Sequence, residues 1–283
     1  MVDKIRLMAL DPEVLAMLSG NTVNGDFTVT GNLAINGNIS FRGFMTGGKI
    51  WSVNGYVIAA NSHVGTNSNT YYEKPANLAF VKVTATGGGG GSGCSSANDG
   101  VNRVTSGGGS GATCISWFNS DELSNSELVI VMAGGRGGSN NQNGANGSNS
   151  VFGNNSIVVA GGGFGSANNL HGLGLGLMVA LTPPPGNGGI AYVGTIKIPG
   201  NKGSYPFNDA GTSGGEGGSS IWGSGVRNIN YGATPNGWLT SITQPTAWGV
   251  GGAGGAASAF AETFFGANGA PGVVIIEEYR WPA

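Results

Sequence analysis

Two stretches of this chain carry the glycine spacing of a phosphate cradle. Gly249-Val-Gly251-Gly-Ala-Gly254 and Gly88-Gly-Gly90-Gly-Ser-Gly93 both match the pattern that lets a pyrophosphate approach a helix N-terminus. That chemistry needs a strand before the glycines and a βαβ unit around them. No clear strand precedes Gly249, Pro245 stands nearby, and only one strand pattern remains downstream. In a chain with 57 glycines the spacing alone carries little weight, and no nucleotide or other cofactor is expected. Gly211-Thr-Ser213-Gly-Gly215 spells a nucleophile elbow, but no apolar strand leads into it and only His63 and His171 could serve as base. Glycan cleavage needs two carboxylates facing one sugar. Beyond Glu127 only Asp209, Glu216, Glu262, Glu277 and Glu278 remain, and Asp209 with Glu216 is the one pair close in sequence. Cys94 and Cys114 are the only cysteines; they make no metal site and read as free or buried, with a bridge between them geometrically conceivable.

Recognition is better represented than reaction. Phe164, His171, Tyr205, Phe207, Trp222, Tyr231, Trp238 and Trp248 lie on polar segments between glycine clusters. Rigid rings on polar loops bring large contact area at low entropic cost and suit sugar faces or protein loops. The competing reading is that they form the core of a domain short of Leu and Ile. These eight are the candidate binding residues.

Something must hold such loops in place. With 57 Gly and 11 Pro among 283 residues, the composition approaches that of low-complexity disorder. A chain only 9% charged and 39% hydrophobic, with 6 Trp, 11 Phe and 7 Tyr, is nonetheless expected to be ordered. Each glycine costs about 0.5 to 1 kcal/mol to order relative to alanine, so a structural gain specific to glycine is required. Backbone packed on backbone, with hydrogen bonds between neighbouring segments, supplies one. The pattern suggests a repeated device: Leu78 to Thr86 runs into Gly87–Gly93, Ile130-Val-Met-Ala133 into Gly134–Gly138, and Ile157-Val-Val-Ala160 into Gly161–Gly165. Further clusters lie at 107–111, 172–176, 186–189, 214–218 and 249–255, and the chain closes on a strand from Val273 to Tyr279.

Upstream, the organisation changes. Glycine falls at Gly25, Gly31, Gly37 and Gly43, a strict spacing of six, each of the first three followed by Asp or Asn and then by apolar residues two and four places on. Each hexad reads as a short strand with one dry face, and three strands from one chain cannot bury their six apolar side chains. Identical chains wrapped about a common axis supply the missing walls, so the hexads predict a homotrimeric stalk, a short meander on the downstream domain being the alternative. Before them, Asp11 as N-cap, Pro12, Glu13 and Gly20 mark a short helix, which either plugs into a larger assembly or packs as an ordinary helix. After them, Asn54-Gly55 between Ile50–Val53 and Tyr56–Ala59 predicts a hairpin. The division is thus 1–20 attachment helix, 21–48 stalk, and 49–283 glycine-rich domain.

A net charge of −2 leaves no electrostatic footprint for nucleic acid or anionic membrane, and no residue from Gly137 to Ile196 is charged. No apolar run has the length of a membrane span. Asp3, Asp11 and Pro12 interrupt any secretory h-region, which suggests synthesis in a cytoplasm and export, if any, by another route.

The Gly-Asn-apolar hexads from Gly25 to Gly43, Phe80-Val-Lys-Val83 leading into Gly87–Gly93, the Gly-Gly-x-Gly-Gly clusters, and Gly269-Ala-Pro-Gly-Val-Val-Ile-Ile-Glu-Glu-Tyr279 together resemble bacteriophage tail-fibre and receptor-binding proteins with a glycine-rich tip. The resemblance implies an all-β, homotrimeric fibre whose tip packs left-handed polyglycine helices in a lattice. Gly87–Gly91, Gly134–Gly138, Gly161–Gly163 and Gly214–Gly218 would be scaffold. Segments 139–155, 167–171 and 222–238 would be receptor loops for a host outer-membrane protein or lipopolysaccharide. It implies a non-enzymatic virion protein attached to tail or baseplate through its N-terminus. The alternatives are a purely structural virion protein and a glycan-cleaving tailspike. Some related adhesins are separate single chains capping a fibre, whereas this one brings its own shaft.

Overall fold

The structure, a computed structural model, describes residues 53–59, 68–94, 103–139, 141–168, 183–209, 211–230, 243–257 and 265–280. The expected N-terminal helix and the hexad stalk lie outside the described residues. Within them the chain is all-β, with one short 3-10 turn at Ser120–Glu122. The strands are β1 (Val53–Ala59), β2 (Ser68–Glu73), β3 (Leu78–Thr86), β4 (Arg103–Val104), β5 (Thr113–Asn119), β6 (Ser126–Val131), β7 (Ser150–Phe152) and β8 (Val158–Ala160). They continue as β9 (Ala191–Val193), β10 (Ile196–Ile198), β11 (Phe207–Asp209), β12 (Gly211–Ser213), β13 (Ile229–Asn230), β14 (Ala256–Ala257) and β15 (Val273–Arg280).

Two five-stranded antiparallel sheets, ordered β1-β15-β3-β5-β10 and β2-β6-β7-β8-β9, face each other. Their inner faces follow from period-two alternation. Val81, Val83 and Ala85 of β3 and Val274 and Ile276 of β15 are fully buried, and they share one core with Val129, Val131, Phe152, Val158 and Ala160 of the other sheet. Each such side chain contributes about 1.5 to 3 kcal/mol on burial, less for alanine. Glu278 points inward from β15 and is 1% exposed, but Arg280 Nε donates to its Oε2 at 2.7 Å, so the charge is paired.

The predicted hairpin does not form. β1 runs straight through Asn54 and Gly55, which pair with Glu278 and Glu277 of β15. A continuous ladder from Val53↔Tyr279 to Ala59↔Val273 outweighs the local turn preference of two residues.

Beyond the sandwich the strands become glycine segments. β3 continues as 87–94, β6 as 133–138, β8 as 161–168 and β10 as 199–204, while 105–112, 142–149, 183–190 and 265–272 return into β5, β7, β9 and β15. Segments 213–218 and 249–255 bring the set to ten joined by backbone hydrogen bonds, and 226–228 is bonded to 213–218 in addition, through the N–H groups of Gly214 and Gly217.

The centre of the set is 87–94. Its N–H groups point to three neighbours in rotation: Gly87 and Gly90 donate to 105–112, Gly88, Gly91 and Cys94 to 142–149, and Gly89 and Ser92 to 265–272, at 2.8–3.1 Å. Its carbonyls accept from three others: Gly88 and Gly91 from 161–168, Gly89 and Ser92 from 133–138, and Gly90 from 249–255. A return to the same neighbour every third residue is the repeat of the polyproline II helix, which has no hydrogen bonds of its own and must find them outside. Six neighbours make the packing hexagonal. Segment 105–112 is likewise surrounded by six, and the other eight segments form a closed ring about the pair.

This packing explains the composition. A Cβ added at Gly87, Gly88, Gly89, Gly90 or Gly91 would enter the carbonyl group of Gly161, Ala133, Val250, Phe164 or Arg136 respectively. Among the described glycines only Gly153 (φ 93°) and Gly249 (φ 71°) have positive φ, so the clusters need glycine for its missing side chain rather than for its conformational freedom. Where a serine or threonine does enter, its hydroxyl joins the network: Ser92 Oγ accepts from Ala267 N–H at 2.8 Å and Thr105 Oγ1 from Gly255 N–H at 2.7 Å.

Candidate binding surface

The direction of each segment fixes two ends. At one end lies the sandwich, and the described fold begins at its far side, where Val53 pairs with Tyr279. At the other end lie six places: the described ends that border 95–102, 169–182, 231–242 and 258–264, and the connections 139–142 and 205–212. Eight residues at about 3.1 Å each and a strand of similar length separate Val53 from those connections by roughly 50 Å. Of the six, 139–142 is a tight turn, with Gln142 N–H donating to Ser139 O at 3.0 Å, and 205–212 contains the β11–β12 hairpin.

The five candidate residues that are described, Phe164, Tyr205, Phe207, Trp222 and Trp248, do not form one site. Tyr205 is 52% exposed and begins the hairpin that bears Phe207, at the loop end, with Lys202 Nζ 5.6 Å from its ring centre. Phe164 lies midway along 161–168 and is exposed. Trp222 and Trp248 stand at the opposite end of the lattice, beside the sandwich. Their rings meet edge to face at 5.5 Å, and Trp222 Nε1 donates to Thr86 Oγ1 at 2.9 Å at the point where β3 becomes glycine. They pin a turn to the junction and, with Thr246 and Ala247, line a shallow cleft of about 230 Å³. His171, Tyr231 and Trp238 lie outside the described residues.

Much of the expected receptor segment 139–155 is scaffold. Asn143, Asn146 and Asn149, three residues apart, turn their Oδ1 atoms to the N–H groups of Asn168, Gly165 and Gly162 at 2.9, 2.9 and 3.1 Å. Gly144 and Gly147 between them donate to Ser166 O and Gly163 O. The period of three, Asn-Gly-x-Asn-Gly-x-Asn, was the available signal.

The phosphate-like glycine patterns are lattice too. Gly251 and Gly254 donate to Gly218 O and Gly215 O, and Gly90 to Gly109 O, so these N–H groups already have protein acceptors. Glu216 faces Arg227 at 3.7 Å, an exposed pair. Cys94 and Cys114 are both buried thiols outside any disulfide, at opposite ends of 87–94 and thus roughly 20 Å apart, too far for a bridge. Burial pushes the Cys114 thiol above its ordinary value, against the opposing pull of hydrogen bonds from the Val193 and Tyr192 backbone and of Lys197.

A second cleft, of about 320 Å³, opens on the lattice flank near the loop end, between 133–138, 265–272 and Gln244. Arg136, Gly137, Ser139, Gln244, Phe265, Gly266 and Asn268 line it. Sequence reasoning missed it because Arg136 sits inside a glycine cluster and Phe265 beside another. No helix among the described residues is long and apolar enough to cross a membrane, and none of those residues gather into a metal-binding cluster.

No curated protein matches the chain. The family model described as a glycine-rich domain matches residues 65–279, from just before β2 to the end of β15, about three quarters of the sequence. With the match spanning both sheets apart from β1, and the lattice segments between their strands, the chain belongs to the glycine-rich domain family.

Proposed function

We propose that this chain is a bacteriophage tail-fibre adhesin that attaches a virion to a bacterial surface by binding alone. One observation carries the reading: the chain enters the described fold at Val53, while the connections 139–142 and 205–212 and the described ends that border 95–102, 169–182, 231–242 and 258–264 lie at the opposite end of a cross-bonded lattice. A lattice of backbone hydrogen bonds between an attachment end and an end where the chain's connections lie suits a receptor-binding tip, because sequence can change in connections without disturbing the support. The hexads from Gly25 to Gly43 assemble three copies into the stalk, and the N-terminus joins the tail or baseplate. The receptor is an outer-membrane protein or lipopolysaccharide.

The test is saturable binding of the labelled full chain to intact bacteria across a strain panel, with competition by extracted lipopolysaccharide or outer-membrane protein. Binding to a subset of strains, competed by one extract, is expected. Failure to bind any strain that the source phage infects overturns the reading. Light scattering at several concentrations accompanies it: three chains of 28.2 kDa predict about 85 kDa on ring-closure grounds. A stable mass of one chain contradicts the shared stalk.

A further inference from the structure

The flank cleft is built as a set of hydrogen-bond donors beside a bare ring. Gly137 N–H donates to Asn268 Oδ1 at 2.8 Å, and Asn268 N–H donates to Gln244 Oε1 at 3.0 Å. Both amide oxygens are thereby occupied, which orients the two side chains and leaves their NH₂ groups without acceptors among the described residues. Arg136 is exposed, and its guanidinium has no carboxylate or other partner among them. Phe265, 56% exposed, stands in the same cleft, and the floor is the glycine backbone of 137 and 266.

We propose that this cleft is a subsite for a carboxylate-bearing sugar, a uronic acid or its like. The guanidinium takes the carboxylate in a two-point bond, the Asn268 and Gln244 NH₂ groups take ring hydroxyls, and Phe265 covers the apolar face of the pyranose. Donors outnumber acceptors in the cleft, which favours an anion over a neutral sugar. The flat exposed ring favours a saccharide over a flexible acidic peptide. A cleft of 320 Å³ lies at the small end of ligand sites, so a single subsite binds weakly and gains through several copies. The inference rests on the adhesin reading and names the ligand class of one part of its surface.

The experiment is ligand-observed NMR titration of the full chain with methyl glucuronoside and methyl glucoside as probes, at low salt and at 0.5 M salt. The uronoside is expected to bind saturably, at least tenfold tighter than the glucoside, and to weaken in high salt. Arg136→Gln should bring it to the level of the glucoside, and Phe265→Ser should weaken both probes, with thermal unfolding of each variant unchanged. Equal binding of the two probes, binding of neither, or an Arg136→Gln variant that keeps the preference overturns the subsite. A chain that binds cells but fails this titration loses the subsite and keeps the adhesin function. One that passes it but binds no susceptible host keeps the subsite and loses the function.

Discussion

Gly88→Ala inverts the usual effect of this substitution. At a site whose backbone tolerates it, replacing glycine by alanine stabilises by about 0.4 to 1 kcal/mol by restricting the unfolded chain. At Gly88 an added Cβ would lie 2.5 Å from Ala133 O, 2.9 Å from Ala133 C and 3.1 Å from Gly134 Cα, all backbone atoms that cannot swing aside. Ordinary contact begins near 3.4 Å, so segments 87–94 and 133–138 must part by about 0.9 Å. The bonds that join them, Gly135 N–H to Gly89 O at 2.7 Å and Gly138 N–H to Ser92 O at 2.8 Å, would stretch to roughly 3.6 Å and fail. Two buried backbone bonds left unmade cost about 1 to 3 kcal/mol each, so the net loss is about 1 to 5 kcal/mol after the unfolded-state gain, with about 3 kcal/mol as the central value. In a domain of this size that lowers Tm by roughly 5 to 15 °C. Asn187→Ala, on an exposed lattice position, is the control and should stay within about 0.5 kcal/mol. Denaturant and thermal unfolding of the full chain measure both. A Gly88→Ala chain as stable as the original, or more so, refutes the reasoning that these glycines exist to admit a neighbouring carbonyl.

Asn146→Ala should remove the acceptor of Gly165 N–H and destabilise by about 0.5 to 1.5 kcal/mol, with faster hydrogen exchange at Gly165 as the specific sign. Trp222→Phe should cost about 1 to 2 kcal/mol through loss of the bond to Thr86 Oγ1 while leaving cell binding intact, since it lies at the sandwich end; lost binding at unchanged stability would argue the reverse. Both thiols should resist a disulfide reagent at pH 8 in the folded chain and react together in denaturant, Cys114 being buried and its thiol pushed up; oxidation should form no intramolecular bridge.

What could be read from sequence was what local pattern decides. The strands β3 and β15 and their joins to glycine follow from alternating apolar residues that stop abruptly at Gly87 and begin just after Gly272. The use of glycine clusters as scaffold also followed, because only close backbone packing offsets their entropy. The hexagonal order did not, since which segment lies beside which is set by hydrogen bonds between residues far apart in sequence, 175 positions in the case of Ala267 and Ser92. Asn143, Asn146 and Asn149 misled as loop residues because asparagine is a turn former by local preference, and its role here is to accept from the backbone of the next segment, 161–168. Asn54-Gly55 misled for the same reason: a hairpin signal is overridden when a long partner strand is available. Of the candidate residues, Tyr205 and Phe207 fall at the loop end, whereas Trp222 and Trp248 pair at the junction, a distinction that no ring reveals by itself.

The central claim is that recognition lives at the lattice end and attachment at the sandwich end. The most direct measurement compares cell binding of two full-length variants with matched stability. One carries Tyr205→Ala and Phe265→Ser at the loop end, and the other Tyr71→Ser and Trp117→Ser, exposed rings of the sandwich. The account predicts that the first loses at least tenfold in affinity for a susceptible strain and the second binds as the unaltered chain does. Loss in the second with full binding by the first would contradict it.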